Sequence, residues 1–489
     1  MAESLREKTA GGFLWNSLDY MGVALVNFLT TVILSRLLAP DIFGQIAMLE
    51  IFILVSMIFI ESGFTTALIR KQDRTADDET TVFLCNLGAA LILGGAFYLC
   101  APLIGEFYGR RGLTSVTRLL AVTLPVNALG IVQISRLRAE MQFRKLTAVN
   151  VASAIVSAIT ATICALTGQG IYALVWQQIS LAATRSLLLW LTGRGFRFTV
   201  FSRSSFLSLF GYSWKLMASW LIYTVYTNLY AVVIGKLFTP SAAGLFWRSR
   251  SLAYYPATAF TSVVQGVSFP AMSKIQETDT RLRSAYATML RMSAWGLFPV
   301  MIWLSVFARP VTVFLFSEKW LPCVPYIRIV ALALALYPIH AINLNLLCVK
   351  GRSDLFLRLE IIKTLIGIAL LAGGSYFGVT GICWGLLLNS LIALTLNTRY
   401  TSPLIQLSLR RQIGYLVPAL LMGSAAAGSV LAALTPFSLS ATAETIFSLL
   451  LTGAVYYGQS LLFTPGNVRE FRDMRTKMKR KREAAAAGA

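Results

Sequence analysis

The chain has 489 residues, 56% of them hydrophobic and 13% charged, with a mean hydropathy of +0.68 and a formal net charge of +22. That balance excludes a soluble globular protein, which needs far more charge to cover its surface. Six cysteines (Cys85, Cys100, Cys164, Cys323, Cys348 and Cys383) lie mostly inside apolar runs, without a Cys-x-x-Cys pair and with His340 as the single histidine. A disulfide framework or a metal site is therefore not expected.

Apolar runs of about 18–26 residues recur from end to end, each long enough to cross a hydrocarbon core of roughly 30 Å. The first, Gly12 to Leu37, is too long for a signal-peptide core and lacks a small-residue cleavage pattern, so it reads as a retained helix. Hydropathy predicts spans at 13–37, 44–69, 82–107, 117–135, 148–167, 171–191, 213–238, 243–269, 292–316, 327–349, 359–377, 379–397, 415–434 and 443–463. Breaks fall at Pro40, Gly168 with Gly170, Pro240, Gly351, Gly378 and Pro436, the residues that interrupt helices.

The basic residues decide the orientation. With the N-terminus inside, the inner segments carry about 30 Lys and Arg and the outer ones about 6, namely Arg110, Arg111, Arg118, Arg309, Lys319 and Arg328. This bias predicts cytoplasmic N- and C-termini. It also displaces nucleic acid as the partner, since the charges are spread as topology signals. The Lys/Arg-rich tail beyond Arg469 reads as a contact for anionic lipids.

An internal repeat organises the chain. Arg36-Leu-Leu-Ala-Pro40-Asp-Ile-Phe-Gly44 recurs 200 residues later as Lys236-Leu-Phe-Thr-Pro240-Ser-Ala-Ala-Gly244, and Trp15 and Trp214 open the two helices at nearly the same offset. Six helices separate the copies, so both halves insert the same way round, with a substrate cavity between two lobes. The expected fold is all-α and polytopic, with about fourteen transmembrane helices. Residues 1–200 form an N-terminal six-helix lobe and 201–400 a pseudo-symmetric second one; 401–465 add two helices, and 466–489 are a basic cytoplasmic tail.

Charges inside apolar helices usually face a partner or a wet cavity, because lipid makes them costly. Arg248 and Arg250 lie in Trp247-Arg-Ser-Arg-Ser-Leu-Ala-Tyr254-Tyr-Pro256, with Trp247, Arg250 and Tyr254 on one helical face and Arg248, Ser251 and Tyr255 on the next. Either the two guanidinium groups grip a phosphate or pyrophosphate, with the rings facing a sugar, or they snorkel outward to headgroups. Glu50 is the repeat equivalent of Arg250, which fits either a gate between lobes or a static pair. Asn16, Asp19, Val23 and Asn27 form a polar stripe on helix 1, and Asp19 is the candidate for coupling to H⁺ or Na⁺. Lys215, Trp220, Tyr223, Thr227 and Tyr230 line one face of helix 7, as a cavity wall or a packing seam. Arg185, Glu360 and Lys363 lie nearer the inner ends, where headgroup contact is expected, and His340 reads as a packing residue.

With these features in place, four stretches carry a family resemblance: Arg36–Gly44, Glu61-Ser-Gly-Phe-Thr-Thr-Ala-Leu-Ile-Arg70, Glu140-Met-Gln-Phe-Arg-Lys-Leu146 and Ala243–Pro256. The chain resembles the Wzx-type polysaccharide flippases of the multidrug/oligosaccharidyl-lipid/polysaccharide exporter superfamily, on the side of its colanic-acid-exporter-like branch. The resemblance implies movement of undecaprenyl-diphosphate-linked oligosaccharide units between leaflets, by ion- or potential-driven alternating access through a cationic cavity. It implies no cofactor beyond a coupling ion, and as partners the lipid-linked glycan, membrane lipids and the polysaccharide polymerase and chain-length machinery. The residues expected at the substrate are Arg248, Arg250, Lys215, Trp247, Tyr254, Tyr223, Tyr230 and Asn27, with Asp19 and Glu50 as coupling or gating carboxylates. The alternatives are a small-molecule exporter of the same superfamily, which would want a carboxylate-lined cavity, and a membrane enzyme of envelope glycan assembly. No phosphate loop, zinc signature or nucleophile elbow occurs, and the outer loops are short and poor in acids.

Overall fold

The structure is a computed structural model that describes residues 2–61, 64–71, 73–193, 196–473 and 476; side chains at 2–14, 16–18, 20, 212, 215, 216, 219, 222, 223 and 226 lie outside that description. The described secondary structure is helical, without strands. The chain divides into two compact units, Met1–Gly244 and Leu245–Ala489.

Unit 1 begins with α1 (Ala2–Leu37) and α2 (Pro40–Glu61). Pro40 takes the first helical position, where its fixed φ suits the helix and its missing N–H forfeits no bond. After α3 (Phe64–Arg70), α4 (Ala76–Leu99) starts at a capping box: Asp78 N donates to Thr75 Oγ1 at 3.2 Å and Thr75 N to Asp78 Oδ2 at 2.9 Å. Next come α5 (Ala101–Phe107), α6 (Leu113–Ala121), α7 (Thr123–Ala139), α8 (Phe143–Leu166), α9 (Ile171–Thr192) and α10 (Arg203–Leu237). The α8–α9 turn runs through Gly168 and Gly170 at φ of +77° and +56°, which side chains with a Cβ rarely adopt. α1 packs on α8, α8 and α7 on α9, and α2 on α10. Phe64, Leu68, Phe83, Val132 and Leu209 close a small apolar core.

The repeat motif explains itself in the backbone. α11 (Pro240–Ser273) also opens on a proline, and its first turn, counted within unit 1, crosses the first turn of α2. A Cβ on Gly44 would overlap the Pro240 carbonyl, and one on Gly244 the Pro40 carbonyl. Only glycine allows both approaches.

Unit 2 holds the rest of α11, then α12 (Asp279–Val306), α13 (Ala308–Phe316), a 3₁₀ turn (Glu318–Cys323), α14 (Val324–Ala335) and α15 (Tyr337–Val349). It ends with α16 (Ser353–Ser375), α17 (Gly378–Ile405), α18 (Leu409–Leu434) and α19 (Ala441–Phe463). α16 pairs with α17, α12 with α18, and α19 with α13 and α18. A buried polar network ties four of these together. Tyr286 Oη lies 2.8 Å from Asn343 Oδ1 and 2.7 Å from Gln412 Oε1, and Thr401 Oγ1 donates to Asn343 Oδ1 at 2.9 Å.

Every span expected from hydropathy coincides with a helix or a pair of helices. Nine helical stretches among the described residues are long and apolar enough to cross a membrane: Pro40–Arg70, Ala76–Leu99, Leu113–Ala139, Phe143–Leu166, Asp279–Val306, Glu318–Val349, Gly378–Ile405, Leu409–Leu434 and Ala441–Phe463. Their outward faces carry large exposed apolar side chains such as Ile92, Leu99, Leu166 and Leu462. So continuous an apolar surface belongs in lipid, and the chain is a multi-pass membrane protein. The runs at 82–107 and 117–135 are each broken into two helices, near Pro102 and just before Pro125, where a proline withholds a backbone donor.

Candidate functional site

In unit 1, residues of α2, α3, α7 and α9 line a polar hollow of about 120 Å³. Glu61, the last residue of α2, and Arg138, near the end of α7, are exposed at its rim; Arg185 on α9 is half-buried. Thr65, Asn127 and Ser186 complete its polar lining, and Met57, Ile131, Ile134 and Leu189 its apolar one. Asn127 Nδ2 donates to Thr123 O at 2.8 Å and Ser186 Oγ to Val126 O at 2.6 Å, so both already spend donors on the backbone. Arg185 Nε is buried without a hydrogen-bond partner. The charges of Arg138 and Arg185 both act on Glu61, and Asp19 acts on Arg185 from α1. Asp19 itself accepts from Asn150 Nδ2 on α8 at 3.0 and 3.2 Å.

A second ionic group closes the same end of unit 1. Lys71 Nζ meets Asp78 Oδ2 at 2.8 Å, and Glu79 Oε1 is shared by Arg74 at 2.9 Å and Arg136 at 3.3 Å. Asp78 and Glu79 sit in the first turn of α4, where the helix dipole favours negative charge.

In unit 2 the two arginines of α11 part company. Arg248 is 1% exposed, its guanidinium 5.2–5.3 Å from the ring centres of Trp247, Phe316 and Trp320. Rings this close attract the cation electrostatically and screen it from water. Arg250 and Trp247 are half-buried, and Tyr254 is exposed with its ring 6.0 Å from that of Tyr337.

The remaining expected residues are scattered. Asn27 is exposed on α1, Tyr230 is buried within α10, and Glu50 is half-buried on α2. The side chains of Lys215, Tyr223 and Asn16 lie outside the described residues. Arg185 turns into the hollow instead of out to headgroups. Glu360 and Lys363 pair with each other, and His340 sits between Ser390 at 3.1 Å and Asn397 at 3.3 Å, as a packing residue would. Sequence reasoning missed the roles of Glu61, Arg138, Asp78 and Glu79. The signal for Glu61 was present: it is the single acid after ten residues without charge, 51–60.

The sequence pattern of the family described as "Polysaccharide biosynthesis protein" matches residues 33–325, more than half of the chain. The chain belongs to this polysaccharide biosynthesis family. Among its relatives, the lipopolysaccharide biosynthesis protein WzxC of Escherichia coli K12 is 25% identical over 397 residues, 80% of each chain. The teichuronic acid biosynthesis protein TuaB of Bacillus subtilis 168 is 23% identical over 357 residues, 72% of this chain and 73% of that one. The succinoglycan biosynthesis transport protein ExoT of Rhizobium meliloti 1021 is 27% identical over 319 residues, 65% of each. The fold is shared with an inward closed lipid II flippase MurJ, at TM-score 0.74 and 14% identity over 93% of this chain and all of that one. An inward-facing multidrug transporter of the MATE family follows at TM-score 0.60 and 16% identity, over 88% of this chain and all of that one. The polysaccharide biosynthesis protein thus has a transporter fold, and the family match covers the repeat motif from residue 33 through Arg250 and Trp320.

Proposed function

We propose that this protein moves undecaprenyl-diphosphate-linked oligosaccharide units from the inner to the outer leaflet of the bacterial cytoplasmic membrane by alternating access, for surface polysaccharide assembly. The observation that carries the reading is membership of a polysaccharide biosynthesis family by a chain with nine helical stretches, among its described residues, long and apolar enough to cross a membrane. Relatives named for lipopolysaccharide, teichuronic acid and succinoglycan synthesis support a glycan cargo. Guanidinium groups inside an apolar bundle suit an anionic diphosphate. A cationic drug would favour a carboxylate-rich interior, which speaks against the small-molecule exporter.

In this reading the protein is a transporter of about fourteen spans in two lobes, not an enzyme, with both termini cytoplasmic. Arg250, Trp247, Tyr254, Lys215, Tyr223, Tyr230 and Asn27 contact substrate, and Arg248 shapes the α11 segment that presents them. Asp19 couples transport to H⁺ or Na⁺, and Glu50 with Arg250 forms the outer gate. The polymerase and chain-length machinery receive the product. Deleting the gene in its host should make an oligosaccharide on undecaprenyl diphosphate accumulate, inaccessible from outside intact spheroplasts, while surface glycan is lost. Normal surface glycan with no trapped intermediate would remove the proposal.

A further inference from the structure

We propose that the hollow between α2, α7 and α9 is a phosphate subsite inside unit 1, where Arg138 and Arg185 bind the diphosphate of the lipid carrier and Glu61 is a built-in carboxylate that competes with it. The choice of a lipid-borne source rests on the flippase reading; the anion chemistry does not.

Charge argues for an anion. Among the described residues lining the hollow, the ionisable groups are two guanidiniums and one carboxylate, so the lining itself is net positive. Asp19, outside the lining, also acts on Arg185 and accepts from Asn150 Nδ2. Other helices that pack on α2, namely α4, α6 and α10, contribute no described charge to the lining.

Geometry argues for an occupant. No ion pair with N···O of 4 Å or less joins Glu61 to Arg138 or Arg185 among the described residues, although all three line one hollow. Three charges held apart leave a gap, and 120 Å³ is far above the roughly 10–15 Å³ that one water needs. Arg185 Nε is a buried donor without an acceptor. A phosphate, which only accepts and matches guanidinium forks bidentately, answers that donor. Ser186 already gives its single hydroxyl proton to Val126 O, whereas Asn127, with one amide N–H bonded to Thr123 O, keeps a second N–H that can add to the two guanidiniums.

Glu61 gives the site its release. An exposed carboxylate at the rim can approach either arginine when the anion leaves, so the empty site need not hold two uncompensated cations. Removing its charge should therefore tighten binding, an effect that a merely structural residue would not produce.

The test uses the full-length protein in phosphatidylcholine nanodiscs, titrated with undecaprenyl diphosphate and with inorganic pyrophosphate. Arg185→Gln and Arg138→Gln should each weaken both ligands about tenfold or more, which is about 1.4 kcal/mol. Glu61→Gln should tighten both at least threefold, a gain that misfolding cannot mimic. Nanodiscs containing phosphatidylglycerol should leave the carrier's affinity within twofold; displacement by phosphatidylglycerol would reassign the site to bulk headgroups and overturn the proposal. If the wild type binds the carrier but all three variants bind like it, the subsite is wrong and the flippase reading stands. If the wild type and variants follow the expected order with pyrophosphate while the carrier does not bind, the anion site stands and the flippase reading fails. Binding of neither ligand overturns the subsite.

Discussion

Arg248 and Arg250 show how far a single residue can be read. Helical spacing put them on adjacent faces, and the cost of charge in lipid gave both a purpose. Spacing does not say which face the protein covers, and here Arg248 is enclosed by Trp247, Phe316 and Trp320 while Arg250 is half-buried. Phe316 and Trp320 come from 68 and 72 residues further along the chain, so nothing local announced the cage. The two substitutions should therefore separate. Arg248→Ala leaves a void among three rings and should cost about 2–4 kcal/mol, seen as a lower Tm in detergent. Arg250→Ala should keep the wild-type Tm, yet cut surface-glycan output at least tenfold. Equal stability of the two variants would contradict the cage; full export by Arg250→Ala would take it out of the cargo path.

At the scale of elements, the sequence was most legible where the chain is punctuated. The prolines at 40 and 240 and the glycines at 168, 170, 351 and 378 mark helix ends that the structure places at the same points. What hydropathy did not show were the breaks within apolar runs, between α4 and α5, α6 and α7, α12 and α13, and α14 and α15, because the pieces on both sides stay apolar. The repeat was visible as Pro-x-x-x-Gly, but its reason was not: the first turns of α2 and α11 touch backbone to backbone at Gly44 and Gly244. A methyl group there has nowhere to go without parting the helices. Gly44→Ala should lower Tm by several degrees, consistent with the roughly 1–3 kcal/mol typical of overpacking. Gly88→Ala is the control, since a Cβ at Gly88 meets nothing within 4 Å and alanine gains about 1 kcal/mol of helix propensity. The expected order of Tm is Gly88→Ala at or above wild type, then Gly44→Ala below it. If Gly44→Ala matched the control, the crossing would not be a fixed contact of the fold.

For the molecule as a whole, composition and charge bias gave the membrane class and an orientation, and the family match and transporter fold agree with the class. The candidate site was less legible, because its hollow is made by Glu61, Arg138 and Arg185, which lie 47–124 residues apart and meet only once the bundle forms. Orientation now matters to mechanism. The three residues lie toward helix ends that the positive-inside bias assigns to the cytoplasm, the side on which a carrier-linked sugar would be loaded. A diphosphate subsite on that side can receive cargo; on the other it could only detain the product. The decisive measurement is labelling of single cysteines in a variant with the six native ones replaced by serine. Arg110→Cys, in the exposed α5–α6 turn, should react with a membrane-impermeant maleimide on intact spheroplasts. Arg197→Cys, exposed between α9 and α10, should react only after the membrane is opened. The reverse pattern would place the arginines of the hollow outside, and inward loading at that hollow would have to be abandoned even if the site binds phosphate.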